Sequence, residues 1–215
     1  MDAPPSERTR VKRYHWLAQY DRATVHAILD ATPMCYVGYT FDNAPYVTPT
    51  MQWREGERVY WHGSSASRML RAVDEHDVCL TVSLLDGLVL ARSAFNFNLN
   101  FRSVMILGRG SKVEDPAEKR RLLEVFVDRV IPNHWNRLRP VTEKELKATT
   151  VMSMPIDEAS AKVRVGQPED DEADYAFPVW AGVIPIRCEI SPPIPDPRNL
   201  PGVEMPADVL KFRIG

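Results

Sequence analysis

Residues 34–63, MCYVGYTFDNAPYVTPTMQWREGERVYWHG, contain the pattern that decides the fold of this chain. Three segments in this stretch, MCYVGYTF, PYVTPTMQW and RVYWHG, are rich in the β-branched and aromatic residues that favour β-strands. The turn-forming pairs Asp42-Asn43 and Glu55-Gly56 separate the three segments. The stretch therefore predicts a β-meander of three strands.

Further strand-like and helix-like segments follow the meander. Strands are predicted at 77–85, 88–95, 101–113, 159–165 and 178–186, with a hairpin turn at Asp86-Gly87. Helices are predicted after the N-cap Asp21, after Asp115-Pro116, and after a capping box formed by Thr142 and Glu145. About seven strands with short turns and few helices indicate a mainly β protein of the α+β class, an antiparallel barrel or sandwich.

The length of 215 residues fits one elaborated β domain. Residues 1–20 are interpreted as a mobile N-terminal arm, because Pro4 and Pro5 disfavour regular structure there. Residues 191–215 contain six prolines and are expected to wrap the surface in extended form. The domain itself is thus expected at 21–190, and its acidic segment 166–175 is expected to be a solvated loop.

The charge balance disfavours several classes of partner. The 27 basic and 29 acidic residues give a formal net charge of -2, so no bulk electrostatic attraction to nucleic acid or to an anionic membrane is expected. The basic start of the chain is not followed by an apolar signal segment, and no stretch approaches the roughly 18 apolar residues of a membrane span. We therefore expect a cytoplasmic protein.

Cysteines and histidines do not predict a metal site. Cys35, Cys79 and Cys188 lie far apart without the paired spacing of zinc ligands, and we interpret them as buried free thiols. The five histidines are also well separated, so no metal is predicted. Neither a G-x-G-x-x-G turn nor a Walker loop is present, which disfavours a Rossmann domain and a nucleotide triphosphatase.

The segment WHGSSASRMLR at 61–71 is a candidate phosphate site. Hydroxyl and backbone N–H groups at the start of a helix donate to phosphate oxygens, and an arginine guanidinium adds two charge-assisted hydrogen bonds. His62, Ser65, Ser67 and Arg68 could act in this way. The same pattern also fits a serine-capped helix with solvated arginines.

Two other segments carry candidate ligand contacts. Thr48 and Thr50 flank Pro49, which removes a backbone N–H donor from the strand. Pro49 could therefore lie where the strand contacts a ligand, or simply in an edge strand without a function. Arg102 and Ser103 begin an otherwise apolar strand. Arg102 could meet a ligand phosphate or pair with an acidic residue.

The order of these motifs resembles a known family over about residues 14–190. It is similar to the FMN-binding split barrels related to pyridoxamine 5′-phosphate oxidase, in particular the nitroimidazole-resistance or flavin-nucleotide-binding branch. The motifs that carry the resemblance are CYVG at 35–38, PYVTPT at 45–50, YWHGSSASRM at 60–69, LLDGLVLARSAF at 84–95, NFRSVMILG at 100–108, EASAKVR at 158–164 and PVWAGVIPI at 178–186.

The resemblance implies an antiparallel split β-barrel with a few flanking helices, forming a homodimer that binds two FMN molecules between its subunits. FMN is expected rather than FAD. By this resemblance His62, Ser65, Ser67 and Arg68 hold the FMN phosphate, with Arg102 and Ser103 nearby. Thr48, Pro49 and Thr50 face the flavin ring. Trp180 closes the flavin cleft, unless it is a core tryptophan.

The leading functional hypothesis is a flavin-dependent oxidoreductase that reduces a nitroaromatic or quinone-like acceptor with electrons from NAD(P)H. The first alternative is a non-catalytic flavin-binding or carrier protein. The second is a haem-binding split barrel, for which His62 is the candidate axial ligand. The chain ends in VLKFRIG and lacks the R-L-x-P motif of the pyridoxamine phosphate oxidases, which argues against oxidation of vitamin B6.

Overall fold

A computed structural model describes residues 3–215 of the chain. Short 3-10 turns lie between its helices and strands. The helices are α1 (Arg22–Asp30), α2 (Arg68–Val73), α3 (Pro116–Val130) and α4 (Glu143–Ala148). The strands are β1 (Ala18–Gln19), β2 (Met34–Phe41), β3 (Ala44–Glu55), β4 (Arg58–Ser64), β5 (Asp77–Leu90), β6 (Asn98–Arg109), β7 (Ser111–Lys112), β8 (Thr149–Pro155), β9 (Glu158–Arg164) and β10 (Gly182–Pro185).

The strands form one antiparallel sheet in the order β1-β9-β6-β5-β2-β3-β4-β8-β7, and β10 pairs with β5. The predicted meander is confirmed, because β2 pairs with β3 and β3 pairs with β4. Asp42 and Asn43 have positive φ angles of 49° and 60°, as a two-residue hairpin turn requires. β3 pairs with β2 along residues 44–51 and with β4 only along residues 52–55. This division opens the sheet into the predicted split barrel.

The barrel core is formed by alternate residues of the central strands. Val37, Leu80 and Ile106 are fully buried there, as expected for strands with one face turned inward. A second cluster outside the barrel joins Trp53 and Tyr60 to Leu122 of α3. The end of β3 and the start of β4 therefore bury both faces, and α3 covers the outer one.

The helix starts are those that the sequence predicts. The Asp21 carboxylate accepts a hydrogen bond from the backbone N–H of Thr24 at 2.8 Å, which caps α1. Asp115 caps α3 in the same way, and Pro116 occupies its first turn. Thr142 and Glu145 form the predicted capping box of α4.

The predicted hairpin at Asp86-Gly87 is wrong. β5 continues through both residues to Leu90, and the register against β6 shifts between Leu85 and Gly87, so Asp86 occupies a β-bulge. β10 pairs along the other side of Gly87, where a Cβ atom would lie 3.0 Å from the carbonyl oxygen of Ile184. The glycine permits close strand packing here and does not form a turn.

The two ends of the chain lie against the barrel. Ala18 and Gln19 pair with β9, and Thr9 is buried, so residues 3–20 contain more regular structure than a mobile arm. Met1 and Asp2 lie outside the described residues. In the tail 191–215, prolines keep the chain extended up to a 3-10 turn at Ala207–Lys211.

Two further expectations need correction. The acidic segment is not wholly solvated, because the Asp170 carboxylate is fully covered and accepts hydrogen bonds from the backbone N–H and the guanidinium of Arg92. Of the three cysteines, all free thiols in the described chain, Cys35 is buried, Cys79 is half-buried and Cys188 is exposed. Within residues 3–215, no helix is long and apolar enough to cross a membrane.

Candidate functional site

Thr48, Pro49 and Thr50 lie on the half of β3 that pairs only with β2. Strand alternation turns the side chains of Thr48 and Thr50 toward the half-buried face of Tyr46, and turns Pro49 toward the exposed face. The other edge of this half-strand has no strand partner among the described residues. A ligand that contacts all three residues must therefore lie along this edge.

Arg68 lies beside this half of β3. Its guanidinium stacks over the ring of Tyr46 at 4.3 Å and approaches the ring of Phe41 at 5.5 Å. Tyr46 also stacks on Tyr39, whose hydroxyl lies 3.4 Å from the Thr48 hydroxyl. The structure thus brings the Arg68 cation and the Thr48 hydroxyl to one aromatic cluster.

Ser67 and Ser65 take different positions around the start of α2. Ser67 is the N-cap residue, and its hydroxyl makes no capping hydrogen bond, so it remains available beside Arg68. Ser65 donates its backbone N–H to the carbonyl of Ala148 at 2.8 Å and lines a separate cleft with Arg71. The four predicted phosphate ligands therefore do not form one cluster.

His62 lies apart from Arg68, on the outer face of β4. Its ring contacts Phe126 at 4.8 Å and Trp53 at 5.8 Å between centroids. It lines a cavity of about 400 Å³ between α3, α4 and the connection that includes Trp135 and Leu138. The predicted role of His62 as a phosphate ligand is therefore not supported by its position.

The His62 imidazole is poorly hydrated. Its Nδ1 atom is buried and has no hydrogen-bond partner among residues 3–215. Burial lowers the pKa of His62, because desolvation disfavours the imidazolium ion. A neutral imidazole on an apolar cavity is a suitable ligand for a transition metal.

Arg102 and Ser103 are engaged within the sheet. Arg102 donates two hydrogen bonds to the Asp86 carboxylate, at 2.8 and 2.9 Å, which is the acidic pairing that the sequence left open. Ser103 donates its hydroxyl to the carbonyl of Lys162 at 3.3 Å. Arg102 also borders a cleft of about 460 Å³ beneath Ile186 and Ile214.

Trp180 is not a core residue. Its side chain is 70% exposed just before β10, and its ring lies against Gly182. Closure of a cleft by Trp180 remains a prediction.

The sequence did not single out the aromatic residues that surround Arg68 and His62. Tyr46 lies in strand β3, Phe126 lies on the apolar face of helix α3, and Trp135 begins a 3-10 turn. Their partners come from distant parts of the chain, so no local signal could identify them.

Comparisons with solved structures agree with this architecture. The flavocytochrome Anf3 from Azotobacter vinelandii is 64% identical, with a TM-score of 0.98, and the match covers 100% of both chains. A FAD and haem binding protein from Mycobacterium smegmatis is 32% identical, with a TM-score of 0.86, over 92% of this chain and 97% of that one. A protein from Bacteroides thetaiotaomicron, described as a 5-nitroimidazole antibiotic resistance protein, shares the fold at 24% identity and a TM-score of 0.56, over 68% of this chain and 86% of that one.

The sequence comparisons add the family. No match was found among curated proteins. The model of the family described as pyridoxamine 5′-phosphate oxidase matches residues 21–163, which include the meander, α2 and the central strands. The expected resemblance is confirmed, and the chain belongs to the pyridoxamine 5′-phosphate oxidase family.

Proposed function

We propose that this protein is a flavocytochrome, an oxidoreductase that binds one flavin and one haem in each subunit. The observation that carries the proposal is the desolvated His62 imidazole on a largely apolar cavity, in a chain 64% identical to a flavocytochrome. When bound, the flavin exchanges electron pairs or single electrons and the haem iron exchanges single electrons. The protein positions both groups and limits access to them.

The cavity beside His62 suits a haem in its chemistry. Leu123, Phe126, Trp135 and Leu138 would supply apolar walls, and His62 would supply an imidazole nitrogen to the iron. Because burial lowers the pKa of His62, the imidazole is neutral at pH 7 and ready to bind iron. Arg139 also lines this cavity, where its guanidinium donates to the Glu145 carboxylate.

The flavin is assigned to the free half-edge of β3. Thr48 and Thr50 offer hydroxyl and backbone groups to a heterocycle, and Ser67 and Arg68 offer donors to a phosphate. Arg68 has no carboxylate partner in the described chain, so its charge is available to an anion. The FAD description of the Mycobacterium smegmatis relative favours FAD over the FMN expected from sequence.

A homodimer fits the outer face of β2 and β3. Met34 pairs with Met51, and Tyr36 pairs with Pro49, so these side chains share one face. Met34, Tyr36 and Met51 are 47%, 42% and 38% exposed, and with Val47 they form an apolar surface that a second subunit can cover. We assign the flavin cleft to this boundary, where Trp180 of either subunit can close it.

The donor and acceptor are assigned by chemical class. A reduced nicotinamide is the proposed electron donor, and a nitroaromatic or quinone-like compound is the proposed organic acceptor. Both the electron donor and the organic acceptor must reach the flavin ring along β3. A non-catalytic carrier would bind the same cofactors without consuming NAD(P)H.

The absorption spectrum of the purified protein tests the proposal. We expect flavin bands together with a Soret band, and we expect His62→Ala to remove the Soret band while His76→Ala, an exposed histidine, retains it. Chromatography of the released flavin distinguishes FMN from FAD. A colourless protein that takes up neither cofactor contradicts the proposal, and a coloured protein that does not oxidise NAD(P)H favours the carrier function.

A further inference from the structure

A second cleft of about 460 Å³ lies beside α2. It is enclosed by α2, β7, the start of α3 and the end of α4. Its charged lining residues are Arg71, Asp74, Lys112, Glu114, Lys119 and Lys147. The cleft therefore has four cationic and two anionic side chains.

Lys119 is the most unusual of these residues. It is 9% exposed, and its Nζ atom donates to the carbonyl oxygens of Thr149 at 3.0 Å and Leu146 at 3.3 Å. Neither acceptor is a carboxylate, and Lys119 forms no ion pair with residues 3–215. An ammonium group has three donors, so one N–H and the full charge remain uncompensated. A buried charge without an opposite charge is costly, and an anion in the cleft would offset that cost.

The other groups leave this positive charge unbalanced. Lys112 binds the Glu114 carboxylate at 2.9 Å, so these two charges cancel. Asp74 accepts a hydrogen bond from the backbone N–H of Lys112 and can balance one more cation. Arg71 donates to the carbonyl of Ala66, and Lys147 has no ion pair in the part of the chain that is described. Two positive charges remain in excess.

We infer that this cleft binds a phosphate-bearing ligand, most suitably a diphosphate. Lys119 supplies a buried donor, and Lys147 and Arg71 supply exposed donors, an arrangement that fits two linked phosphate groups. The cleft volume is in the range of small-molecule sites. Such a diphosphate belongs to a nucleotide other than the flavin, because the flavin phosphate is assigned to Ser67 and Arg68, which do not line this cleft.

Calorimetric titration of the purified holoprotein with inorganic pyrophosphate tests the inference. The variants are Lys147→Gln and Lys119→Met, and the matched control is Lys144→Gln, which is exposed on the same helix but does not line the cleft. Because Lys119 also holds the end of α4, the surface variant Lys147→Gln is the decisive one. The flavin content of each protein is measured after gel filtration.

For a separate nucleotide, we expect pyrophosphate to bind the wild type and to bind Lys147→Gln and Lys119→Met about tenfold more weakly, with unchanged flavin content. Loss of flavin from both variants, with flavin retained by Lys144→Gln, would show that the flavin itself occupies this cleft and would overturn a separate nucleotide site. Pyrophosphate binding that none of the variants alters overturns the inference. So does the absence of binding together with normal flavin retention. A protein that binds pyrophosphate here but takes up neither flavin nor haem overturns only the proposed function.

Discussion

The guanidinium of Arg102 in β6 donates hydrogen bonds to both carboxylate oxygens of Asp86 in the neighbouring strand β5. The two hydrogen bonds measure 2.8 and 2.9 Å, and both side chains are about 30% exposed. Hydrogen bonding to Asp86 is the main cause that raises the pKa of Arg102. Asp86 is also the residue that the register shift in β5 leaves without a partner in β6. The ion pair therefore ties the bulge to the neighbouring strand.

Asp86→Ala should lower the free energy of unfolding by about 1 kcal/mol, because it leaves a partly covered guanidinium without its acceptor. Urea denaturation measures the change. Asp86→Asn keeps one acceptor oxygen and the shape of the bulge, so it should lose less.

The pairing also tests the predicted ligand role of Arg102. A double-mutant cycle with Asp86→Ala and Arg102→Ala should give a coupling energy of about 0.5–1 kcal/mol, with flavin content unchanged. Loss of flavin in Arg102→Ala, but not in Asp86→Ala, would instead place Arg102 among the flavin ligands.

The three cysteines should react with a thiol reagent at different rates. Cys188 is exposed, whereas burial raises the pKa of Cys35 to about 12, so almost no Cys35 thiolate exists at pH 8. We expect Cys188→Ser to remove the fast phase in the native protein, and Cys35 to react only after unfolding. Rapid native modification of Cys35, detected by peptide mass spectrometry, would show that the barrel opens.

Gly110→Ala should destabilise the protein by about 1–3 kcal/mol. A Cβ atom at this position would lie 2.7 Å from the carbonyl oxygen of Val73, and hydrogen bonds to Glu75 and His76 hold the Gly110 backbone in place. Thermal unfolding measures the loss.

Gly108→Ala is the matched comparison. Its Cβ atom would meet the side chain of Met154 at 2.9 Å, and a methionine side chain can change rotamer where a backbone carbonyl cannot move. The loss should be smaller than for Gly110→Ala. Equal losses would mean that the core around Met154 is as rigid as the backbone.

The fold could be predicted because its signals are local. Asp42 and Asn43 determine a tight hairpin within four residues, and Asp21, Asp115 and Thr142 cap helices through contacts two or three residues away. The same kind of signal was misleading at Asp86 and Gly87. There β10, almost 100 residues further along the chain, pairs with β5, which continues as a strand through both residues.

The candidate site could be predicted only in part, because it depends on which face of a strand each residue occupies. The Arg68 guanidinium lies over the ring of Tyr46, whereas β4 turns His62 toward Phe126 of α3. The sequence shows which side chains of a strand share a face, but it does not show which helix or strand covers that face. The sequence also does not distinguish the buried Lys119 of α3 from the exposed Lys144 and Lys147 of α4.

The stability of α4 should depend on pH through Glu145. Hydrogen bonds from the Arg139 guanidinium, then from the backbone N–H and hydroxyl of Thr142, lower the pKa of Glu145 to about 2. A carboxyl group whose pKa is lowered by folding stabilises the folded state above its ordinary pKa, and this contribution is lost as the pH falls toward the folded value. The loss is therefore expected between about pH 5 and pH 2.

Glu145→Gln removes this titration and part of the capping box. The variant should melt at a lower temperature than the wild type at pH 7, and the difference should shrink as the pH falls from about 5 to 2. Melting temperatures across this range measure the effect, with Glu124→Gln on α3 as the control, since Glu124 forms no ion pair within residues 3–215. Because Glu145 and Arg139 also line the cavity of His62, we expect the Soret band of the proposed haem to broaden or weaken over the same pH range. A difference in melting temperature that does not change with pH would mean that the capping hydrogen bonds, and not the charge of Glu145, hold this wall of the cavity.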